Sequence, residues 1–231
     1  MNKELETLQE RIGYSFKDRK LLEQAVTHRS YLNEHPDWPT GHNERLEFLG
    51  DAVLELVVTE YLYEHYPQEQ EGEMTNWRAA LVNANTLSAI TNEFDLNASI
   101  LLSRGEAKDT GRARQYILAN AIEALIGAMY LDGGYEPCKV FIGQFVLTHL
   151  PEIISKKLYR DAKSLLQEEA QDRLSVTPTY HVMEEWGPDH ARQFKIGVYL
   201  GKELAGEGQG QSKQDAQQAA AEDALKNKGW Q

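Results

Sequence analysis

The 231-residue sequence is 41% hydrophobic, carries one cysteine and has a formal net charge of −12 at pH 7. That composition supports a globular core in one large or two small domains. It excludes an internal disulfide, and Cys138 lacks zinc-ligand spacing. No apolar run approaches the roughly 20 residues that span a bilayer. The polar, acidic start Met1–Glu6 does not read as a secretory signal. A cytoplasmic protein with no membrane partner and no small-molecule cofactor is expected. The acid is unevenly spread: residues 1–155 hold 13 Lys+Arg against 24 Asp+Glu, and residues 156–231 hold 11 against 12. The net charge therefore does not exclude a nucleic-acid partner for the second part.

Residues 3–12 and 18–28 have helical apolar spacing. In Thr27–Tyr31, His28 and Arg29 suit either phosphate contact or a helix-end cap. Pro36, Pro39 and Gly41 make 33–42 a loop. A helix then runs from about 42 to 65, stopped by Pro67. At 100° per residue its Glu44, Glu47, Asp51 and Glu55 fall within an arc of roughly 80°. Leu46, Leu49, Val53, Leu56 and Val57 gather opposite as the expected core stripe. Such a carboxylate column is either a solvated face or a metal site. Phe48 lies about 40° from Glu44, as an edge of the core or an interface anchor. A helix follows through Asn83 with Thr75 as its expected N-cap, then another over about 85–94.

Residues 103–112 form a polar loop carrying Arg104, Lys108 and Arg112. The helix at 114–131 is apolar almost all round and should be largely buried, yet it holds Asn120 and Glu123 one turn apart. A buried carboxylate there needs an arginine partner or a metal. Gly133 and Gly134 end it, and one more helix covers about 137–149. Residues 151–160 read as a junction. Beyond it come a helix (161–174), a strand (180–186), a turn at 187–190, a strand alternating Phe194, Ile196, Val198 and Leu200, a short strand near 203–207 and an alanine-rich helix (212–228).

The stretch NERLEFLGD at 43–51 resembles the signature helix of the ribonuclease III family. ILANAIEALIGA at 117–128, followed by YLDGG at 130–134, is similar to that family's second characteristic helix. DAKSLLQE, GPDHAR and GQSKQDAQQAAA mark a module similar to the double-stranded RNA-binding domain. The resemblance implies a multidomain α and α+β chain: an all-helical endonuclease domain at 1–150, a linker at 151–160, and an α-β-β-β-α domain at 161–230. It implies endonucleolytic cleavage of double-stranded RNA by metal-dependent hydrolysis, leaving 5′-phosphate and 3′-hydroxyl ends on ribosomal and messenger RNA precursors.

By the same resemblance Glu47, Asp51, Asn120 and Glu123 would bind Mg²⁺, with Mn²⁺ substituting, and Asp51 and Glu123 would be the central catalytic pair. Glu44 and Glu71 take outer-shell or RNA-ordering roles. Gln167, Glu168, His190 and Lys213 would contact the duplex, and Phe48 would anchor a homodimer. Asn120 departs from the family, which usually has Asp there; the amide keeps an oxygen donor but removes one negative charge. The rival readings are a non-cleaving duplex-RNA binder on a retained nuclease scaffold, favoured by Asn120 alone, and a phosphohydrolase of small molecules, opposed by the C-terminal module.

Overall fold

A computed structural model describes residues 2–159, 161–188 and 192–230. The chain divides into two compact units, Met1–Tyr159 and Arg160–Gln231. The first is built of helices: α1 (Asn2–Ile12), α2 (Arg19–Ala25), α3 (Arg29–Glu34), α4 (Glu44–His65), α5 (Glu71–Val82), α6 (Ala84–Ile90), α7 (Arg112–Gly133), α8 (Tyr135–Phe145) and α9 (Leu150–Ser155). At its centre lies α7. From Ile117 to Met129 every side chain of that helix is buried except those of Asn120 and Glu123. An apolar helix this uniform needs neighbours on all sides, and α2, α4, α6 and α8 supply them.

Helix α4 buries Leu46, Gly50, Val53, Leu54, Val57, Val58 and Leu62. Two members of the expected stripe differ: Leu49 is half-buried and Leu56 is 57% exposed. Leu56 falls roughly 120° from Gly50 on the helix wheel. The core stripe is centred instead on the glycine, because α7 packs there backbone to backbone. A Cβ added to Gly50 would lie 1.7 Å from the Glu123 carbonyl oxygen, and one added to Gly127 would lie 2.2 Å from that of Leu46. Neither backbone can retreat without opening the core. Gly50→Ala and Gly127→Ala are each expected to cost about 3 kcal/mol or more. A urea midpoint unchanged in either variant would contradict this crossing.

Two local boundaries also differ from expectation. Helix α5 begins at Glu71, so Thr75 lies inside it and does not cap it. Glu71 and Glu73 in the first turn favour that start through the helix dipole. The expected junction at 151–160 is shortened by α9, which carries Pro151 in its first turn and buries Leu150 and Ile153 in the first unit. Proline at a helix start costs no hydrogen bond.

The second unit contains α10 (Ala162–Leu174), β1 (Thr179–Trp186), β2 (Gln193–Leu200), β3 (Glu203–Gly210) and α11 (Lys213–Lys228). Its strands form one antiparallel sheet in the order β1-β2-β3. Phe194, Ile196, Val198 and Leu200 form the core with Leu166 and Ala170 of α10 and the buried alanines of α11. Strand β3 runs three residues beyond the expected end, through Gly208 and Gly210. Glycine is a poor strand former, but tertiary contact decides here. Cβ atoms on Gly206, Gly208 and Gly210 would lie 2.4, 2.2 and 2.6 Å from the backbone nitrogens of Ala224, Ala220 and Ala216.

Candidate active site and RNA-binding elements

The entrance to α4 is fixed by backbone bonds. Asn43, 3% exposed, donates its N–H to the Thr27 carbonyl at 2.9 Å and its side-chain amide to the Ala25 carbonyl at 3.2 Å. His28 N–H donates to the Leu101 carbonyl at 3.1 Å, and Leu101 N–H to the Val26 carbonyl at 2.8 Å. The segment at 27–28, the chain before the 103–112 loop and the first turn of α4 therefore meet. His28 takes the cap role: its side chain accepts from Ser30 N–H at the start of α3. Arg29 projects outward, with its side chain 72% exposed.

Because α4 and α7 touch at Gly50 and the Glu123 carbonyl, the side chains flanking that contact face one another. The Asn120 amide stands beside Glu47 and favours its ionised form. Burial, then the charges of Glu44 and Asp51, still push the Glu47 carboxyl above its ordinary range. Glu123 is pushed up to about 8, first by burial and then by Asp51 and Glu47. Asp51 stands exposed at the rim. The structure thus brings Glu47, Asp51, Asn120 and Glu123 together.

Among the described residues no three His, Cys, Asp or Glu side chains converge into a ready-made metal cage. The donor chemistry nonetheless fits a hard divalent cation. Three carboxylates and an amide oxygen are the preferred ligands of such ions. Burial first, and then repulsion from Asp51 and Glu47, lift Glu123, and a bound cation would offset both.

Glu44 borders the cluster, lining one cavity with Glu47 and Asn120, whereas Glu71 sits elsewhere. The Glu44 carboxylate lies between Arg29 at 3.5 Å and His42 at 3.8 Å. Glu71 borders a cavity of about 270 Å³ with Thr59, Leu62, Tyr63, Met74 and Arg78. Thr59 is eight residues beyond Asp51 on α4, about 12 Å of helix rise. Glu71 is therefore not part of the acidic cluster within one chain. Phe48 is 83% exposed.

In the second unit Gln167 and Glu168 are exposed on α10, and Lys213 is exposed in the first turn of α11. Ser212 caps that helix by accepting from Asp215 N–H at 3.1 Å. Lys163 of α10 donates to Gln217 of α11 at 2.7 Å, tying the two helices together. His190 lies outside the described residues.

Sequence reasoning missed two features of the first unit. Gly127 is the reciprocal half of the helix crossing; an isolated glycine in an apolar helix was its signal. Phe48, Ala52, Leu56 and Tyr63 form a second, exposed apolar stripe along α4. Their near four-residue spacing was visible, but the acidic column and the core stripe claimed the helix first.

Residues 18–150 match the family model described as ribonuclease-III-like, and residues 162–228 that of the double-stranded RNA binding motif. Ribonuclease 3 of a Nitratiruptor species is 42% identical over 224 residues, spanning 97% of this chain and 96% of its own. Ribonuclease 3 of Campylobacter jejuni is 42% identical over 228 residues, spanning 98% and 99%. A solved structure of the ribonuclease III nuclease domain from Campylobacter jejuni, concerned with a region involved in its dimer formation, aligns with a TM-score of 0.58 at 40% identity. It covers 64% of this chain and 99% of its own. With its helical first unit and the acidic cluster where α4 meets α7, this chain belongs to the ribonuclease III family.

Proposed function

We propose that the protein is an endoribonuclease that cuts double-stranded RNA by metal-dependent phosphodiester hydrolysis. The observation that carries this reading is the gathering of Glu47, Asp51, Asn120 and Glu123 at one helix crossing, in a chain that also holds a double-stranded RNA binding motif. These four residues would hold Mg²⁺, with Mn²⁺ able to substitute. When bound, the ion stabilises charge on the phosphoryl group and lowers the pKa of water. Asp51 stands at the open rim where the scissile strand would arrive, and Glu123 is set deeper, on α7. The second unit carries the duplex: Gln167, Glu168 and His190 suit the wide, shallow minor groove of A-form RNA, and Lys213 suits phosphate at a helix N-terminus.

One cluster serves one strand, so cutting both requires two copies. The exposed stripe supports a homodimer, because Phe48, Ala52, Leu56 and Tyr63 extend over about 22 Å of helix. Paired antiparallel about a two-fold axis near Leu56, Phe48 of one copy comes opposite Tyr63 of the other. It would then enter the cavity bordered by Tyr63, Met74 and Arg78. Glu71 borders that cavity too, so its outer role is exercised across the interface. Among the described residues no helix is long and apolar enough to cross a membrane. We assign the enzyme to the cytoplasm, acting on structured precursors of ribosomal and messenger RNA.

The deciding experiment is a gel of a plain RNA hairpin incubated with the protein, with and without Mg²⁺. Cleavage to fragments bearing 5′-phosphate and 3′-hydroxyl ends is expected. Retention of the hairpin without cleavage in either Mg²⁺ or Mn²⁺ would favour the non-cleaving binder. Asn120 adds a quantitative expectation. Asn120→Asp restores a negative charge and removes the amide beside Glu47. The Mg²⁺ concentration for half-maximal cleavage should fall about tenfold. Identical titration curves for the two proteins would remove Asn120 from the ligand set.

A further inference from the structure

Two adjoining cavities lead away from the acidic cluster between α3 and α7. The nearer, about 500 Å³, is bordered by Glu44, Glu47 and Asn120. The farther, about 720 Å³, reaches Ser30, Asn33 and Glu106. Both are lined by His28, Arg29, Tyr116 and Ile117, so they form one groove that starts at the cluster. Its outer wall is fixed. Ser30 Oγ accepts from Ser103 N–H at 3.1 Å, and Glu34 accepts from Arg104 N–H at 3.0 Å, which pins the 103–112 loop to α3.

The charge along this groove is lopsided. Glu44, Glu47 and Glu106 line it, and among its described lining residues Arg29 is the one permanent cation. An RNA backbone laid there would meet carboxylates along most of its path; Arg29 is the cation on the lining next to the cluster, and Arg112 stands beside the groove against the Tyr116 ring. The Arg29 guanidinium is available for contact with the backbone. It meets the Glu44 carboxylate at 3.5 Å, between side chains 72% and 49% exposed. Exposed pairs of this kind are weak, so the guanidinium can turn from Glu44 to a phosphate at little cost. A guanidinium fork also matches two phosphate oxygens at once.

Resting on the acidic cluster as the cleavage centre, we propose that Arg29 binds a phosphate of the scissile strand next to the one being cut. Glu44, at the edge of the cluster, is then a positioning residue that aims Arg29. The groove fixes the strand's path, and Arg29 fixes its register along that path.

The test uses hairpin RNAs in which one linkage at a time, on either side of the scissile one, is a neutral methylphosphonate. Cleavage is followed under single-turnover conditions with saturating full-length protein and Mg²⁺. On unmodified RNA, Arg29→Ala should slow cleavage about ten- to a hundredfold. Arg29→Lys should recover most of that loss, and gel-shift affinity should stay within about threefold of the parent. At one flanking linkage, neutralisation should slow the parent protein but leave Arg29→Ala unaffected, as a double-mutant cycle requires for a direct contact. Parent-like cleavage by Arg29→Ala, or equal sensitivity of both proteins at every linkage, would overturn the assignment. Asp51→Asn is run alongside. Normal cleavage by that variant would defeat the cluster reading itself, whereas its loss beside an unimpaired Arg29→Ala would defeat only this inference.

Discussion

Asp51→Asn and Glu123→Gln will each lower the single-turnover cleavage of an RNA hairpin by about a thousandfold or more, while gel-shift retention of the duplex barely changes. Each substitution keeps the side-chain shape and deletes a charge from the proposed metal-binding cluster; retention rests on α10, α11 and the rest of the second unit. Near-normal cleavage by either variant would remove that residue from the site. Glu123→Gln has a second, independent readout in the metal-free protein. The Glu123 carboxyl is raised from 4.5 to about 8 by burial and by Asp51 and Glu47. A raised carboxyl favours the fold while it stays protonated, and that support is complete below the unfolded value and lost as pH rises through about 8. Glutamine mimics the protonated form at every pH. The variant should therefore match the parent near pH 4 and exceed its Tm by on the order of 3–6 °C at pH 8.5. Equal melting at pH 8.5 without metal would mean that Glu123 is not confined among like charges.

If the proposed homodimer forms, the parent will sediment as a dimer and Phe48→Glu as a monomer at low micromolar concentration. An aromatic knob 83% exposed in one chain, which the proposed pairing would bring to the partner's cavity, is the anchor type that dominates interface energy. Loss of the knob alone raises the dissociation constant by about two to three orders of magnitude. The new carboxylate would also sit beside Glu71 and repel it. Sedimentation velocity of parent and variant decides the matter, and a variant still dimeric at that concentration would move the interface off this stripe.

The helices, the three strands and the acidic positions were legible in the sequence because each has a local signal. Glu44, Glu47, Asp51 and Glu55 repeat at helical spacing, and Phe194 to Leu200 alternate. What escaped was set by partners distant in sequence. Leu56 looked like core until Gly50 shifted the buried stripe towards α7. Thr75 looked like a cap because a hydroxyl is a visible signal, whereas the dipole preference of Glu71 and Glu73 is spread over a turn. The family resemblance gave Glu71 an outer role, yet only the fold shows that it lies beside Thr59, which is about 12 Å of helix beyond Asp51. The α9 helix hid inside an expected junction because Pro151 reads as a breaker unless it falls in a first turn.

The contact of β3 with α11 has a consequence for how this RNA-binding unit can change. Four residues of helix advance about 6 Å and two residues of strand about 6.6 Å, so Gly206, Gly208 and Gly210 mesh with Ala224, Ala220 and Ala216 almost in step. The seam works like a rack and pinion whose teeth are backbone atoms, with no rotamers to repack and no neighbouring register that fits. Outward positions of α11 such as Lys213 and Gln214 can therefore be exchanged for basic or neutral residues with little movement of the helix. RNA affinity and its salt dependence become adjustable one surface charge at a time, on a frame that does not register the change.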